Sequence, residues 1–121
     1  MARIRLLLVD DHEVVRSGLK MLLENESDLK IVGEANTGGQ ALEMVETLKP
    51  DVVIMDITLP DISGIDVTRR IEDAHPNIAV VALTIHEDQQ YFFEMLQVGA
   101  SGYVPKRAAP DDLITAIRAA H

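Results

Sequence analysis

The chain has 121 residues, no cysteine, and a formal net charge of -9 from 20 acidic and 11 basic side chains. This length suggests one domain with a substantial core, and the lack of cysteine excludes disulfides and thiolate metal sites. The acidic balance argues against binding to nucleic-acid phosphates. With neither a membrane-length apolar run nor a signal-peptide pattern, we expect a cytoplasmic protein that does not bind a membrane.

Short apolar runs alternate with amphipathic segments from the start of the chain. Residues 4–9 predict a strand, and the apolar i, i+4, i+7 spacing over residues 15–23 predicts a helix that faces a core. Residues 29–32 predict a second strand. Thr37 and Gln40 have the spacing of a capping box, which predicts the start of a second helix.

The same alternation continues through the middle of the chain. Residues 52–55 form an unbroken apolar run that predicts a buried third strand. Residues 65–74 predict a third helix, in which Asp66 and Arg70 have the i,i+4 spacing of an ion pair. Residues 78–83 predict a fourth strand.

The last third of the chain adds two helices and a short strand. Residues 91–98 predict a helix, and Gly99 suits its carboxyl end. Residues 102–104 predict the fifth strand. Pro110 and the two acids after it predict the first turn of a last helix, because proline fits the first helical position and acids favour the positive end of the helix dipole.

This order of elements predicts an α/β fold. Five strands that alternate with five helices indicate a parallel sheet covered on both faces, and the near-continuous apolar strands agree with burial on both sides. No repeat, low-complexity tract or linker interrupts residues 1–121, so we expect one doubly wound domain. In such a sheet all strand carboxyl ends lie at one edge, where ligands bind.

Polar residues follow four of the five predicted strands at this edge. Asp10 and Asp11 follow the first strand, and Asp56 follows the third. Thr84 follows the fourth strand, and Lys106 comes shortly after the fifth. Each residue alone has an ordinary explanation as a helix cap or a solvated surface group. Their common position at one edge is what indicates a functional site.

The charges at this edge indicate the chemistry. Two carboxylates about 4 Å apart repel each other by roughly 4 kcal/mol at an effective dielectric constant near 20, so three of them should take up a proton or bind a cation. Oxygen ligands without cysteine favour Mg²⁺. An ionised Asp can attack phosphorus to form an aspartyl phosphate. Mg²⁺ and Lys106 would neutralise the phosphoryl oxygens, and Thr84 could donate its hydroxyl to one of them.

Four segments, in order along the whole chain, resemble the response-regulator receiver domain of two-component signalling. They are 6-LLLVDDHEVVRSGL-19, 51-DVVIMDITLPDISG-64, 83-LTIHED-88 and 99-GASGYVPK-106. The resemblance implies a flavodoxin-like fold with strand order 2-1-3-4-5. It implies that Asp56 is the phospho-acceptor and a Mg²⁺ ligand. Asp10 and Asp11 match the other Mg²⁺-binding acids, and Thr58 matches the residue whose backbone carbonyl completes the protein ligands.

Other matched positions concern the response to the phosphoryl group. Thr84 and Lys106 match the hydroxyl and the lysine that contact it. The resemblance implies a switch in which Thr84 moves towards the phosphoryl group and Tyr103 turns into the vacated space. Thr58 and His86 match positions whose side chains tune the rate of dephosphorylation.

Segments 83–88 and 99–106 resemble more narrowly the receivers of LuxR/NarL (FixJ-like) regulators. This implies that a sensor histidine kinase is the phosphoryl donor and that the signalling surface lies on the fourth helix, fifth strand and fifth helix. The resemblance is also compatible with a phosphorylation-linked homodimer. Such regulators control transcription through a carboxyl-terminal helix-turn-helix domain. We expect that domain to be absent from this chain. DNA would be bound only through that absent domain. Arg107 replaces the proline that often follows the lysine, which makes a cis peptide bond there costly.

Two other classes of protein compete with a receiver. A Mg²⁺-dependent phosphohydrolase also forms an aspartyl phosphate, but it usually needs a second acid two residues beyond the nucleophile, where this chain has Thr58. A flavodoxin-like binding module would need a phosphate-binding loop after the first strand, where Asp10 and Asp11 repel phosphate unless Mg²⁺ intervenes. The sequence therefore favours a receiver that is not an enzyme.

Overall fold

Five strands form one parallel sheet in the order β2-β1-β3-β4-β5. The computed structural model describes residues 3–84, 89–106 and 110–121. Its elements are β1 (Ile4–Val9), α1 (Glu13–Glu24), β2 (Leu29–Ala35), α2 (Gly38–Leu48), β3 (Val52–Asp56), α3 (Gly64–Ala74), β4 (Ala79–Thr84), α4 (Gln89–Gln97), β5 (Gly102–Pro105) and α5 (Pro110–Ala120). The predicted doubly wound, flavodoxin-like fold and strand order are confirmed. None of the helices in the described ranges has the length and apolar character needed to cross a membrane.

Strand β2 is longer than the sequence predicts and ends at Ala35 rather than at residue 32. Gly33 and the glutamate after it interrupt the apolar run, so the extension is not visible in the sequence. The strand continues because β1 still supplies backbone partners: after a shift in register, Leu7 pairs with Gly33 and Val9 pairs with Ala35. Pairing across the sheet therefore overrides local composition.

The predicted helix start at Thr37 is correct, but two side-chain pairings differ in detail. Thr37 Oγ1 accepts the Gln40 N–H at 3.1 Å, whereas Gln40 Oε1 accepts the N–H of Asn36 at 3.0 Å rather than that of Thr37. In α3, Asp66 pairs with Arg69 at 2.9 Å instead of the predicted Arg70. Residues three and four positions apart are both neighbours on a helix surface, so spacing alone does not choose between them.

The sheet carries a hydrophobic core on each face, because successive residues of a strand point to opposite sides. Leu7 and Val9 of β1 pack in the core formed with α2, α3 and α4, whereas Leu6 and Leu8 pack in the core formed with α1 and α5. These four side chains are at most 2% exposed. Burial of each contributes about 1.5–3 kcal/mol. The two cores fix the strands whose carboxyl ends carry the polar residues.

Gly64 closes the loop between β3 and α3 directly behind Asp56. Its N–H donates to the carbonyl of Ile57 at 2.7 Å. A Cβ at position 64 would overlap the carbonyl oxygen of Asp56 and would lie 2.8 Å from the Ile57 Cα. These neighbours are backbone atoms that cannot rotate away, so only glycine allows the chain to turn so close to Asp56.

Replacing Gly64 by Ala should strongly destabilise the protein, by about 3 kcal/mol or more, because the added methyl group overpacks backbone at the end of β3. The matched control is Gly18→Ala in α1, where an added Cβ meets nothing within 4 Å. That change should raise the free energy of unfolding by up to about 1 kcal/mol, because alanine is the better helix former. Urea unfolding followed by circular dichroism measures both, and similar values for the two variants would contradict the packing described at Gly64.

Candidate functional site

Three carboxylates meet at the carboxyl edge of the sheet. Asp10 directly follows β1, and Asp56 is the last residue of β3; they are 2% and 3% exposed. Asp11 is more open, with 32% of its side chain exposed. One ligand atom from each of these acids and one from His12 all lie within 4.8 Å of one another. The fold therefore brings together acids that are far apart in the sequence.

Lys106 supplies a positive charge to this cluster. Its Nζ lies 2.8 Å from Asp10 Oδ2 and 3.5 Å from Asp56 Oδ2. Both contacts are ion pairs between the ammonium and a buried carboxylate. The lysine is fixed by its own backbone, because the Lys106 N–H donates to the carbonyl of Thr84 at 2.7 Å and so continues the pairing of β4 with β5.

The other oxygens of the two buried carboxylates accept backbone N–H groups close by. Asp56 Oδ1 accepts the Thr58 N–H at 3.2 Å, and Asp10 Oδ1 accepts the His12 N–H at 2.8 Å. In both cases the donor is two residues beyond the acid, a local turn that aspartate favours at the end of an element. Within the part of the chain that the structure describes, Asp10 Oδ2 and Asp56 Oδ2 are buried and accept no backbone N–H, and both face the Lys106 ammonium instead.

The charges of the cluster do not balance. Three carboxylates and the Lys106 ammonium leave two excess negative charges when all are ionised. Burial, followed by repulsion from Asp10, raises the pKa of Asp56 above its ordinary value, and Lys106 and the Thr58 N–H only partly oppose this. Two buried carboxylates that share one ammonium and an excess of negative charge fit a divalent cation, and Mg²⁺ prefers such oxygen ligands.

Thr84 ends β4, which pairs with β3, and Tyr103 lies on β5, the next strand of the sheet. Thr84 is fully buried, one residue beyond Leu83, which pairs with Asp56. Tyr103 is partly buried, and its ring centroid lies 5.3 Å from that of Phe92 in α4. Phe92 in turn meets Phe93 edge to face at 5.6 Å. The predicted switch residue therefore contacts α4 through a row of three aromatic rings.

The other predicted residues are less well defined by the structure. Thr58 lies in the loop after β3 with an exposed side chain, and its backbone contact to Asp56 is the N–H bond given above. His86 and Arg107 lie outside the described residues. The predicted effects of these two residues on dephosphorylation and on the lysine loop remain predictions.

Two further residues contact the cluster, and neither was assigned a functional role from the sequence. His12 is the N-cap of α1, and its Nδ1 lies 3.1 Å from Asp10 Oδ1 and 3.2 Å from Asp11 Oδ1. Arg16 Nη1 donates to the Asp10 carbonyl, and Arg16 Nε lies 3.6 Å from Glu34. The i,i+4 spacing of His12 and Arg16 was the available signal, because it places both on one side of α1.

Comparison with known proteins points to one family. Residues 6–118 match the family model described as the response regulator receiver domain. Response regulator GacA of Pseudomonas viridiflava is 43% identical over 115 residues, and response regulator UvrY of Escherichia coli strain K12 is 40% identical over 118 residues. These alignments cover 95% and 98% of the chain but 54% of each relative, so the chain spans about half of their length.

Solved structures agree with this result. A LuxR-family two-component response regulator from Aurantimonas sp. SI85-9A1 has a TM-score of 0.93 at 36% identity, covering 98% of this chain and 84% of that one. The signal receiver domain of the response regulator NarL from Mycobacterium tuberculosis has a TM-score of 0.93 at 26% identity, with coverage of 98% and 95%. The fold is thus shared over almost the whole chain.

Replacing Asp56 by Asn should stabilise the protein when no divalent cation is present. Because folding raises the pKa of Asp56, the folded protein is penalised wherever this carboxylate is ionised. The penalty disappears below the pKa of the unfolded chain, about 3.9. We expect the free energy of unfolding in EDTA, from urea titration, to rise by about 1 kcal/mol near pH 8. This gain should shrink as the pH falls through the raised pKa of Asp56.

Asp66→Asn is the control for this prediction. Asp66 is an acid on the surface of α3 that pairs with Arg69. Its replacement should change the free energy of unfolding by less than about 1 kcal/mol. Destabilisation by Asp56→Asn, or a gain that does not depend on pH, would contradict the electrostatic account of the buried cluster.

Proposed function

The chain belongs to the response regulator receiver family, of the NarL/LuxR type, and we propose that it accepts a phosphoryl group on Asp56 and passes the signal on through helix α4. The observation that carries this proposal is the buried cluster of Asp10, Asp56 and Lys106, in which two buried carboxylates share one ammonium. Such a cluster attracts a divalent cation and, with it, a phosphoryl group.

The proposed reaction is a transfer from a phosphohistidine of a sensor histidine kinase. An ionised oxygen of Asp56 attacks the phosphorus atom. A P–O bond to Asp56 forms while the P–N bond breaks, and the electron pair of the broken bond returns to the imidazole nitrogen, which takes up a proton. The end of β3 and the Thr58 N–H, 3.2 Å from Oδ1, hold the carboxylate in place for this attack.

Four residues would hold Mg²⁺. Asp10, Asp11 and Asp56 would bind it through carboxylate oxygens, and Thr58 through its backbone carbonyl. When bound, Mg²⁺ supplies positive charge to the phosphoryl oxygens. The buried carboxylates of Asp10 and Asp56, which share a single ammonium, support this assignment, as does the position of Asp11 beside them. The side chains of Thr58 and His86 would tune how fast the phosphoryl group is lost.

Lys106 and Thr84 would contact the new phosphoryl group. Phosphorylation adds about -1.5 to -2 charges and three acceptor oxygens. Lys106 already faces Asp10 and Asp56, so its ammonium is close to where this charge develops. Thr84, at the end of the neighbouring strand, would donate its hydroxyl to a phosphoryl oxygen. Its movement would vacate space, and Tyr103 would turn to fill it.

Tyr103 would carry the change to the outside of the protein. Its contact with Phe92 means that an inward turn of Tyr103 removes a partner from the α4 surface, which we define as Phe92, Phe93 and Leu96. These three side chains are 37%, 60% and 48% exposed. The α4 surface, together with β5 and α5, would be read by a partner or by a second copy in a phosphorylation-linked homodimer.

The wider role follows the relatives in outline. GacA and UvrY are named as response regulators and are about twice as long as this chain. We propose that this chain is a cytoplasmic signalling module and not an enzyme, and that it controls transcription through a helix-turn-helix domain outside residues 1–121. Thr58 stands where a phosphohydrolase would need a second acid, and its hydroxyl is too weak an acid for that role.

Incubation with acetyl phosphate and Mg²⁺ should add one phosphoryl group to the wild-type chain and none to Asp56→Asn, as measured by intact-mass spectrometry. EDTA should largely abolish the reaction. Lys106→Ala should slow it on the order of a hundredfold, because a positive group facing the developing charge is lost. Asp66→Asn is the control and should react like the wild type. An adduct that survived Asp56→Asn unchanged would contradict the assignment, and catalytic turnover of a simple phosphate ester would favour a phosphohydrolase.

Crystals grown with beryllofluoride and Mg²⁺ should show Tyr103 in a different rotamer from crystals grown with Mg²⁺ alone. Its ring should turn inward and lose the 5.3 Å contact with Phe92, because Thr84 has moved towards the phosphoryl mimic. The Mg²⁺-only crystals separate the effect of the metal from that of the phosphoryl group. One Tyr103 rotamer in both crystal types would rule out the switch without affecting the phospho-acceptor assignment.

A further inference from the structure

A carboxylate outside the acidic cluster ties the loop that follows Asp56 to a neighbouring helix. Asp61 lies in the β3–α3 loop (residues 57–63), and its two oxygens accept the N–H groups of Gly38 and Gly39 at 2.8 and 2.9 Å. These two glycines begin α2. The same bonds, from Gly39 and then Gly38, lower the pKa of Asp61 below its ordinary value, so the carboxylate that makes them is ionised at neutral pH.

The close approach between this loop and α2 depends on Gly38. A Cβ on Gly38 would lie 3.3 Å from Asp61 Oδ1 and only 2.9 Å from Val67 Cγ2 in α3. A Cβ on Gly39 would be in ordinary van der Waals contact with Asp61 Oδ2, at 3.4 Å. Gly38 is buried at this point, so the bonds from Asp61 belong to a packed junction of α2, α3 and the loop.

The β3–α3 loop that Asp61 restrains also carries Thr58. The base of the loop is closed by the backbone bond between Gly64 and Ile57, at 2.7 Å. Thr58, Pro60 and Asp61 are exposed, and Leu59 is the residue of this stretch that packs, partly buried, against the core. Asp61, with two charge-assisted bonds, fastens this stretch to the end of a rigid helix.

We propose that Asp61 is a positioning residue for the metal site: by holding the stretch 58–61 against α2, it keeps the Thr58 carbonyl where it can bind Mg²⁺. This rests on the proposed function, which makes Thr58 a ligand. Without Asp61 the loop would have to become ordered when the metal binds, and the entropy lost in that step would weaken binding. Asp61 acts through Thr58 and touches neither the metal nor the phosphoryl group.

A simpler role for Asp61 would be to cap α2, because the first N–H groups of a helix lack partners within it. Thr37 separates the two roles. Its Oγ1 caps the same helix by accepting the Gln40 N–H at 3.1 Å. Thr37→Ala therefore removes a cap from α2 while the bonds between Asp61 and the two glycines stay in place.

The test compares Mg²⁺ dissociation constants, from isothermal titration calorimetry, for wild type, Asp61→Ala, Asp61→Asn and Thr37→Ala. In 1 M KCl the screening length is about 3 Å, so the loss of one surface charge contributes little. We expect Asp61→Ala to weaken Mg²⁺ binding on the order of tenfold. Asp61→Asn should weaken it less, because an amide oxygen still accepts one bond. Thr37→Ala should bind like wild type, and at saturating Mg²⁺ the rate of phosphorylation by acetyl phosphate should be nearly equal in all four proteins.

Unchanged Mg²⁺ affinity in Asp61→Ala would overturn this role, as would an equal loss in Thr37→Ala. Circular dichroism and urea unfolding establish that each variant is folded, and if Asp61→Ala is not, Asp61→Asn is judged by the same comparison with Thr37→Ala. A wild-type chain that bound no Mg²⁺ and took up no phosphoryl group would instead overturn the proposed function itself. The two failures are thus distinguishable.

Discussion

The burial of two carboxylates side by side, at the ends of neighbouring strands, is the constraint on which the rest of the molecule depends. Desolvation and mutual repulsion both penalise the ionised pair of Asp10 and Asp56. The fold offsets this with two apolar cores that hold β1 and β3, and with Lys106 as counter-ion. The remaining negative charge would attract the proposed cation, and the cation would in turn attract the phosphoryl group.

Helices α2 and α4 lie on the same face of the sheet and contact the surroundings of the acidic cluster in different ways. Helix α2 receives Asp61 and so steadies the loop beyond Asp56, whereas α4 contacts Tyr103 through Phe92. The first contact is a pair of charge-assisted hydrogen bonds, and the second is an aromatic contact without directional bonds. A ring can turn at little cost where a bidentate carboxylate cannot. The contact with α2 is therefore suited to holding the loop in place, whereas the contact with α4 is suited to changing when Tyr103 moves.

The sequence predicted the fold and the meeting of the acids for a simple reason. Apolar runs revealed the strands, and a parallel sheet leaves little choice about where Asp10, Asp56 and Lys106 go. The contacts of Asp61 could not be predicted, because they depend on how the β3–α3 loop packs against α2. The extension of β2 was missed for a related reason, since pairing with β1 decides it and not its own composition.

The register of the sheet also bears on how the length of this chain can vary during evolution. Strand β3 is paired on both sides, with Met55 opposite Val9 and Asp56 opposite Leu83. One residue inserted in β3 would turn every later side chain of the strand to the other face and would carry the acid away from its partners. The turn at residues 75–78, at the opposite edge of the sheet, holds none of these groups. Insertions and deletions are therefore expected to accumulate at that edge and to be purged from the strands.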